Sequence, residues 1–459
     1  MKHTRRMLLK TMGVGVGVSP VVHLLGEDTG ELSLSTFSAD ITPPLGHPLL
    51  AGWKPPAKRI ESRLKALGVV LWTKDSPIVI CALDWCELRN GAYDLWRDSL
   101  AKAVGTSRER VLLHCVHQHD TPYVDLEAQQ FLDQHGYEGM MFDSEFHAET
   151  VRKVAAAAKA SADSKKRVLH IRTGEAEVKD IACNRRVEVD GKVSFRRYSF
   201  TRDPKVRDAA TGQIDPNLKM LSFYGQEGPM VSISCYATHP MSYYGNGGVS
   251  ADFTGMAREK WQSQNPDVFQ IYLSGCSGDV TAAKFNLGNL DGRKELANRL
   301  ARGMEAAWKM TRTSPVQKVA FRNGSFDFAP RTTGAYNPEV AQAQLANPKL
   351  SPTHRTQAAM TLSWLQRLKT GQAIDLPLID FGSAQFLLLP AETFVGYQLA
   401  AQKMKPCTFL MTPAFGECAP GYIPTDMAEE EGYVKEHGYS WIAPGQEKMF
   451  LEAIREVLQ

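Results

Sequence analysis

Short apolar runs of strand length alternate with stretches of helical periodicity along most of the chain, and this alternation restricts the fold more than any other feature. Apolar runs at 68–73, 77–83, 110–116, 218–224, 229–236, 268–273, 384–389 and 407–411 are bounded by turn residues or followed by helical periodicity. Helical spacing of apolar residues covers 92–103, 145–161, 254–263, 293–311, 354–369, 391–404 and 446–458. Strands alternating with helices predict an α/β fold, a large layered domain with a mixed, mainly parallel central sheet. The more polar stretch 322–383 reads as a peripheral insertion. No linker or repeat divides residues 29–459, so one large domain is expected there.

The first 28 residues stand apart. Thr4-Arg5-Arg6-Met7-Leu8-Leu9-Lys10 precedes a short apolar stretch rich in Gly and Val, the pattern of a twin-arginine export signal. That route carries folded proteins, which suits a chain that takes up a cofactor before crossing. An exported protein, periplasmic or extracellular, is expected. No later segment has 18 consecutive apolar residues, so any membrane contact would be peripheral. Four bases, Lys2, Arg5, Arg6 and Lys10, precede the first acid, Glu27, so without them the formal net charge of +3 becomes −1. That balance gives no electrostatic case for a nucleic-acid partner. The eight cysteines form no CxxC pair, and Cys81, Cys115 and Cys235 lie inside apolar runs as small buried thiols would.

Chemistry concentrates where strands end. Asp84 follows one apolar run, His117 and His119 close another, and His239 follows a third. The turn 274–279 leaves a fourth, and Glu392 comes just after a fifth. Open α/β sheets bind ligands beyond the carboxyl ends of their strands, so these exits are expected to converge on one crevice. His117-Gln118-His119 is an H-x-H in which alternate residues would share one face. Two imidazoles with a further ligand from His239 or Glu392 suit zinc and leave a position open for water. His114 has the opposite parity and reads as structural, while Asp120 is placed to hydrogen-bond a ligating imidazole. A TIM-barrel amidohydrolase would carry its H-x-H on the first strand, and a serine hydrolase would need G-x-S-x-G, which Gly275-Cys276-Ser277-Gly278 does not supply.

Together these segments resemble the neutral (neutral/alkaline, non-lysosomal) ceramidase family, from Asp40-Ile41-Thr42-Pro43-Pro44 nearly to the C-terminus. His117-Gln118-His119-Asp120-Thr121-Pro122 is similar to the family's H-T-H-S-G-P segment, which implies a zinc ligand at His117 and a catalytic histidine at His119. Thr238-His239-Pro240, followed by Ser250-Ala251-Asp252-Phe253-Thr254-Gly255, resembles the segment with the second zinc histidine. There Asp252, like Asp120, would support the ligands. Pro390-Ala391-Glu392 and Gly421-Tyr422-Ile423-Pro424-Thr425 look like the segments supplying a ligand glutamate and tyrosine. Asn184-Arg185 resembles an Asn-Arg pair whose arginine lines the site, and Tyr433 falls within one residue of a second active-site tyrosine. Gly275 stands where the resemblance puts a catalytic serine. The family's C-terminal immunoglobulin-like domain has no counterpart in the sequence.

The resemblance implies a Zn²⁺-dependent hydrolase of a small-molecule or lipid amide, ceramide or a related N-acyl compound, and the leader adds the expectation of export. Two alternatives stay open: a metal-binding homologue that has lost turnover and acts as a binding protein, and a hydrolase of a non-lipid substrate. Gly275 favours loss of turnover; His119 and Arg185 oppose it.

Overall fold

The structure, a computed structural model, describes residues 32–316 and 319–459; residues 1–28, where an export signal is expected from the sequence, lie outside them. Three larger sheets organise these residues. The first orders its strands Val111–Cys115, Ile78–Leu83, Lys65–Trp72, Ser33–Asp40, Lys166–Arg167. The second runs Phe269–Ser274, Gly228–Tyr236, Asn217–Gly225, His170–Glu177, Arg312–Pro315. The third runs Ala320–Phe326, Ile374–Asp380, Ala384–Leu387, Phe409–Met411.

The α/β class and the mixed sheets agree with the alternation in the sequence, but parallel pairing is the minority. Each sheet has one parallel pair, at one edge: Ile78–Leu83 with Val111–Cys115, Gly228–Tyr236 with Phe269–Ser274, and Ala384–Leu387 with Phe409–Met411. The other pairings in these sheets are antiparallel. Link length accounts for the hairpins among them. Only Gln226-Glu227 separates Asn217–Gly225 from Gly228–Tyr236, and a parallel crossover needs a dozen or more residues.

The continuous apolar strands are buried on both faces. In Ile78–Leu83, Val79, Cys81 and Leu83 join one core with Trp96, Leu100, Val151 and Val154 of the helices Gly91–Val104 and Ser144–Ala160. Ile78, Ile80 and Ala82 join a second core with Leu221, Phe223 and Ile233 of the second sheet. The expected peripheral insertion at 322–383 is corrected: Ile374–Asp380 lies inside the third sheet, and the helix Pro352–Lys369 buries Ala358, Ala359, Met360 and Trp364 in the first core. Polar residues on the half-buried strand Ala320–Phe326 and on the outer helix face had hidden these core positions.

The parallel edges of the three sheets meet. Cys115 N, on the first, donates to Phe415 O, just beyond the third, and Ala414 N donates to Ser274 O of the second. The carboxyl ends of all three parallel pairs therefore open on one place.

Candidate metal centre

His117, His239 and Glu392 come from the three different sheet edges, and their ligand atoms lie within 4.8 Å of one another. The imidazole tautomers follow from the backbone. His117 Nδ1 is 3.0 Å from Cys86 O and His239 Nδ1 is 3.2 Å from Ser277 O. A carbonyl only accepts, so each neutral ring carries its proton on Nδ1 and presents a lone pair at Nε2. The two Nε2 atoms are 3.0 Å apart. Glu392 Oε2 stands 3.4 Å from one and 3.7 Å from the other, and this buried oxygen has no hydrogen bond among the described residues. Two lone pairs and a carboxylate oxygen thus face one point, an arrangement that calls for a cation. In a tetrahedral site with Zn–N of about 2.0–2.1 Å, ligand atoms stand roughly 3.3 Å apart, so the donor set and its spacing fit zinc.

His117 does not reach this point by strand alternation. The strand ends at Cys115, and His117 has φ 74°, in the left-handed region that a side chain with a Cβ seldom occupies. Ala391, just before Glu392, and Phe415, which stacks on His117 at 4.4 Å, are left-handed too. Three such residues around one site are backbone strain of the kind found at functional centres. His119 lies next to the triad, its Nε2 3.1 Å from His239 Nε2 and its buried Nδ1 without a hydrogen bond among the described residues. Burial holds His119 well below the usual imidazole range, and the nearby Arg185 guanidinium adds to the shift. Burial pushes the neighbouring Glu87 carboxyl up to about 7, with Glu392 adding to the rise.

Arg185 forms the opposite wall. It is buried, and its Nη1 donates to the Tyr422 hydroxyl at 3.0 Å and the Tyr433 hydroxyl at 3.4 Å. Asn184 and Asp279 set the loop: Asn184 Nδ2 donates to Asp279 Oδ2 at 2.8 Å and Arg185 N to Asp279 O at 2.7 Å. Glu392 and Tyr422 are direct partners in a short parallel ladder, which brings the carboxylate and the phenol side by side. A cavity of about 310 Å³ opens on His117, His119, Arg185, Glu392 and Tyr422.

Two solved structures share this architecture. Neutral ceramidase from Pseudomonas aeruginosa superposes with a TM-score of 0.66 at 16% identity, over 93% of this chain and 74% of that one. A ceramidase complexed with C2 gives 0.66 at 15% identity, over 93% and 75%. The chain has the neutral ceramidase fold. No family model matches the sequence, and no curated protein matches it either.

Within this ceramidase fold, position 275 is turned away from the cavity. A Cβ on Gly275 would meet Gln398 Oε1 at 2.8 Å and Ala237 Cα at 3.1 Å, so a serine there would face packed side chains and not His119. Its neighbours do not substitute: Ser274 Oγ donates to Val116 O, and neither Ser274 nor Ser277 lines the cavity. Tyr433 is fully buried behind Arg185, with its hydroxyl donating to Gly278 O at 3.2 Å.

Neither Asp120 nor Asp252 bonds a histidine, because backbone carbonyls already occupy both Nδ1 atoms. Asp120 Oδ1 instead accepts from Gly245 N at 2.7 Å, and Asp252 Oδ2 from Ser242 N at 2.9 Å. Both acids hold the loop carrying Tyr244, whose ring stands edge-on to His119 at 4.8 Å. The sequence reading missed the cavity's other walls: Trp53, Lys54, Tyr198, Glu436, His437, Tyr439 and Trp441. They sit on separate loops and one short helix and share no local pattern.

Proposed function

We propose that the protein is an exported zinc-dependent hydrolase of N-acyl amides. The observation that carries this reading is the pair of bare Nε2 atoms of His117 and His239 facing an unpaired Glu392 oxygen. Those three residues would hold the metal, with Tyr422 beside Glu392 as a further oxygen donor. Bound zinc supplies a Lewis acid that brings the pKa of water towards neutrality and polarises a carbonyl.

The chain's own groups do the rest. His119, adjoining the triad and with Nδ1 uncommitted, moves a proton from the attacking water to the departing nitrogen. The Arg185 guanidinium, held by two phenols, offers positive charge to the oxygen that becomes negative as the carbonyl is attacked. Burial of these groups strengthens that interaction by excluding water. Ceramidase is what the two similar structures are, and it supports an amide as the bond broken. No helix among the described residues is long and apolar enough to cross a membrane, and the paired arginines at 5 and 6 support export.

The test is release of free amine from a panel of N-acyl amides that includes ceramide, with zinc-loaded and chelated protein. Turnover that chelation removes and zinc restores supports the reading. Zinc binding without turnover of any amide favours the binding-protein alternative.

A further inference from the structure

The cavity that opens on the triad has walls unlike those of a hydrocarbon tunnel. Its aliphatic side chains are Leu50 and Met241, whereas rings from Trp53, Tyr198, Tyr244, Tyr439 and Trp441 form much of the lining. Trp53 and Tyr439 stand 5.0 Å apart, and Tyr198 lies over His437 at 5.1 Å. Alkyl chains gain from burial against any apolar surface, but flat aromatic walls with polar edges are suited to a rigid ring that is apolar on its face and polar round its rim. The volume, about 310 Å³, stands at the lower end of the roughly 300–1,000 Å³ usual for small-molecule sites, too little for two long chains.

The same walls carry unspent hydrogen-bonding capacity. Nδ1 of His119 and Nε of Arg185 are buried without a hydrogen bond among the described residues, and the His437 ring has at most the Tyr433 carbonyl as a partner, which leaves a buried ring nitrogen free. Burial keeps the His437 ring neutral, with a pKa lowered to about 3, and with its one N–H towards the Tyr433 carbonyl the other ring nitrogen offers an acceptor. The ring is fixed by stacking on Tyr433 at 4.5 Å with planes 2° apart. Buried polar groups in native structures find partners, and a hydrocarbon chain would satisfy none of these.

We propose that this cavity recognises a compact, polyhydroxylated N-acyl compound, an N-acetylated amino sugar, laid against the aromatic walls with its hydroxyls on His437 and its amide towards Glu392 and Arg185. The choice of an N-acyl group rests on the amide-hydrolase reading; the hydroxylated ring rests on the walls. Hydrolysis would add one water across the C–N bond, leaving acetate and the free amino sugar.

The experiment uses the full chain, zinc-loaded, with N-acetylglucosamine and its di- and trisaccharides as probes. Short-chain ceramide in detergent and long-chain ceramide in phosphatidylcholine vesicles serve as the contrasting arm. Binding is followed by tryptophan fluorescence, since Trp53 and Trp441 line the cavity, and cleavage by release of free amine. The expected result is saturable sugar binding, with Kd raised tenfold or more in Tyr198→Ala at unchanged zinc content. Tyr198 is 50% exposed, so its loss leaves the fold intact, and Trp53→Phe provides a second variant that keeps a ring. Sugar binding with release of acetate supports both readings. Saturable, Tyr198-dependent sugar binding with no amide cleaved supports this proposal and counts against the hydrolase. Ceramide cleavage without sugar binding overturns the proposal and leaves the hydrolase standing. Absence of saturable sugar binding overturns it whatever else is cleaved.

Discussion

The backbone amide of Ser274 donates to Nε2 of His114 at 3.1 Å, while Nδ1 of the same ring is 2.6 Å from the carbonyl of Ala414. One buried imidazole on the first sheet thereby fastens the ends of the second and third. Burial lowers the pKa of His114 to about 3, so it stays neutral and keeps both bonds. His114→Ala would orphan a buried N–H and a buried C=O, each costing about 1–3 kcal/mol. Urea unfolding should show a loss of roughly 2–5 kcal/mol. A loss under ~1 kcal/mol would mean that the three edges hold together without the ring.

Metal affinity should depend on residues from every edge. Removing even an outer partner of a metal ligand weakens binding by about 10–100-fold, so His239→Ala or Glu392→Ala should reach at least about 100-fold. Equilibrium dialysis against zinc measures this directly. Retention of zinc by His239→Ala at wild-type affinity would place the metal elsewhere.

Arg185→Lys keeps the charge but loses the planar guanidinium whose Nη1 donates to both phenols. If Arg185 stabilises the developing oxyanion, kcat for the amide should fall by about 10²–10³ while zinc content stays level. A change confined to KM would make Arg185 a binding group only.

Gly275→Ser tests the family's serine position. The added Cβ meets the Ala237 backbone and Gln398, so destabilisation of about 1–3 kcal/mol with no gain in turnover is expected. Increased hydrolysis by this variant would show that the loop can turn the hydroxyl into the site.

Acid stability has an identifiable contributor away from the metal. His147 Nε2 accepts from Trp96 Nε1 at 3.0 Å, and burial, with His47 adding, lowers its pKa to about 4. Between its unfolded value of 6.5 and about 4, the unfolded chain takes up a proton that the folded chain refuses. Stability is therefore fully present above that window and falls as pH drops through it, by on the order of 3 kcal/mol for this group. His147→Gln keeps an acceptor without titrating. Denaturant midpoints at pH 7 and pH 4.5 should differ less in the variant than in the wild type.

Much of the site was legible because its residues sit where apolar runs stop. His117, His239 and Glu392 could be marked as strand exits without knowing which strands pair. Their hydrogen-bond partners could not, since Cys86 O and Ser277 O are backbone atoms that any residue would provide. The third sheet was half hidden for a different reason: Pro377 interrupts the apolar run of Ile374–Asp380, and Arg322, Asn323 and Ser325 break up its neighbour Ala320–Phe326. Sheet direction was misjudged because apolar runs show burial on both faces, while direction depends on the links between them. The cavity walls were the least readable, with Trp53, Tyr198 and His437 meeting only through tertiary packing.

The meeting of three parallel edges at one point has a consequence for how the centre comes into being. No stretch of the chain, however well folded, contains it: His117 and His239 are 122 residues apart, and Glu392 belongs to yet another sheet. Contacts of such long range form late, after the entropy of bringing distant segments together has been met. Zinc capture would therefore mark the finished protein, and a chain that has bound the metal has already brought its three sheets together.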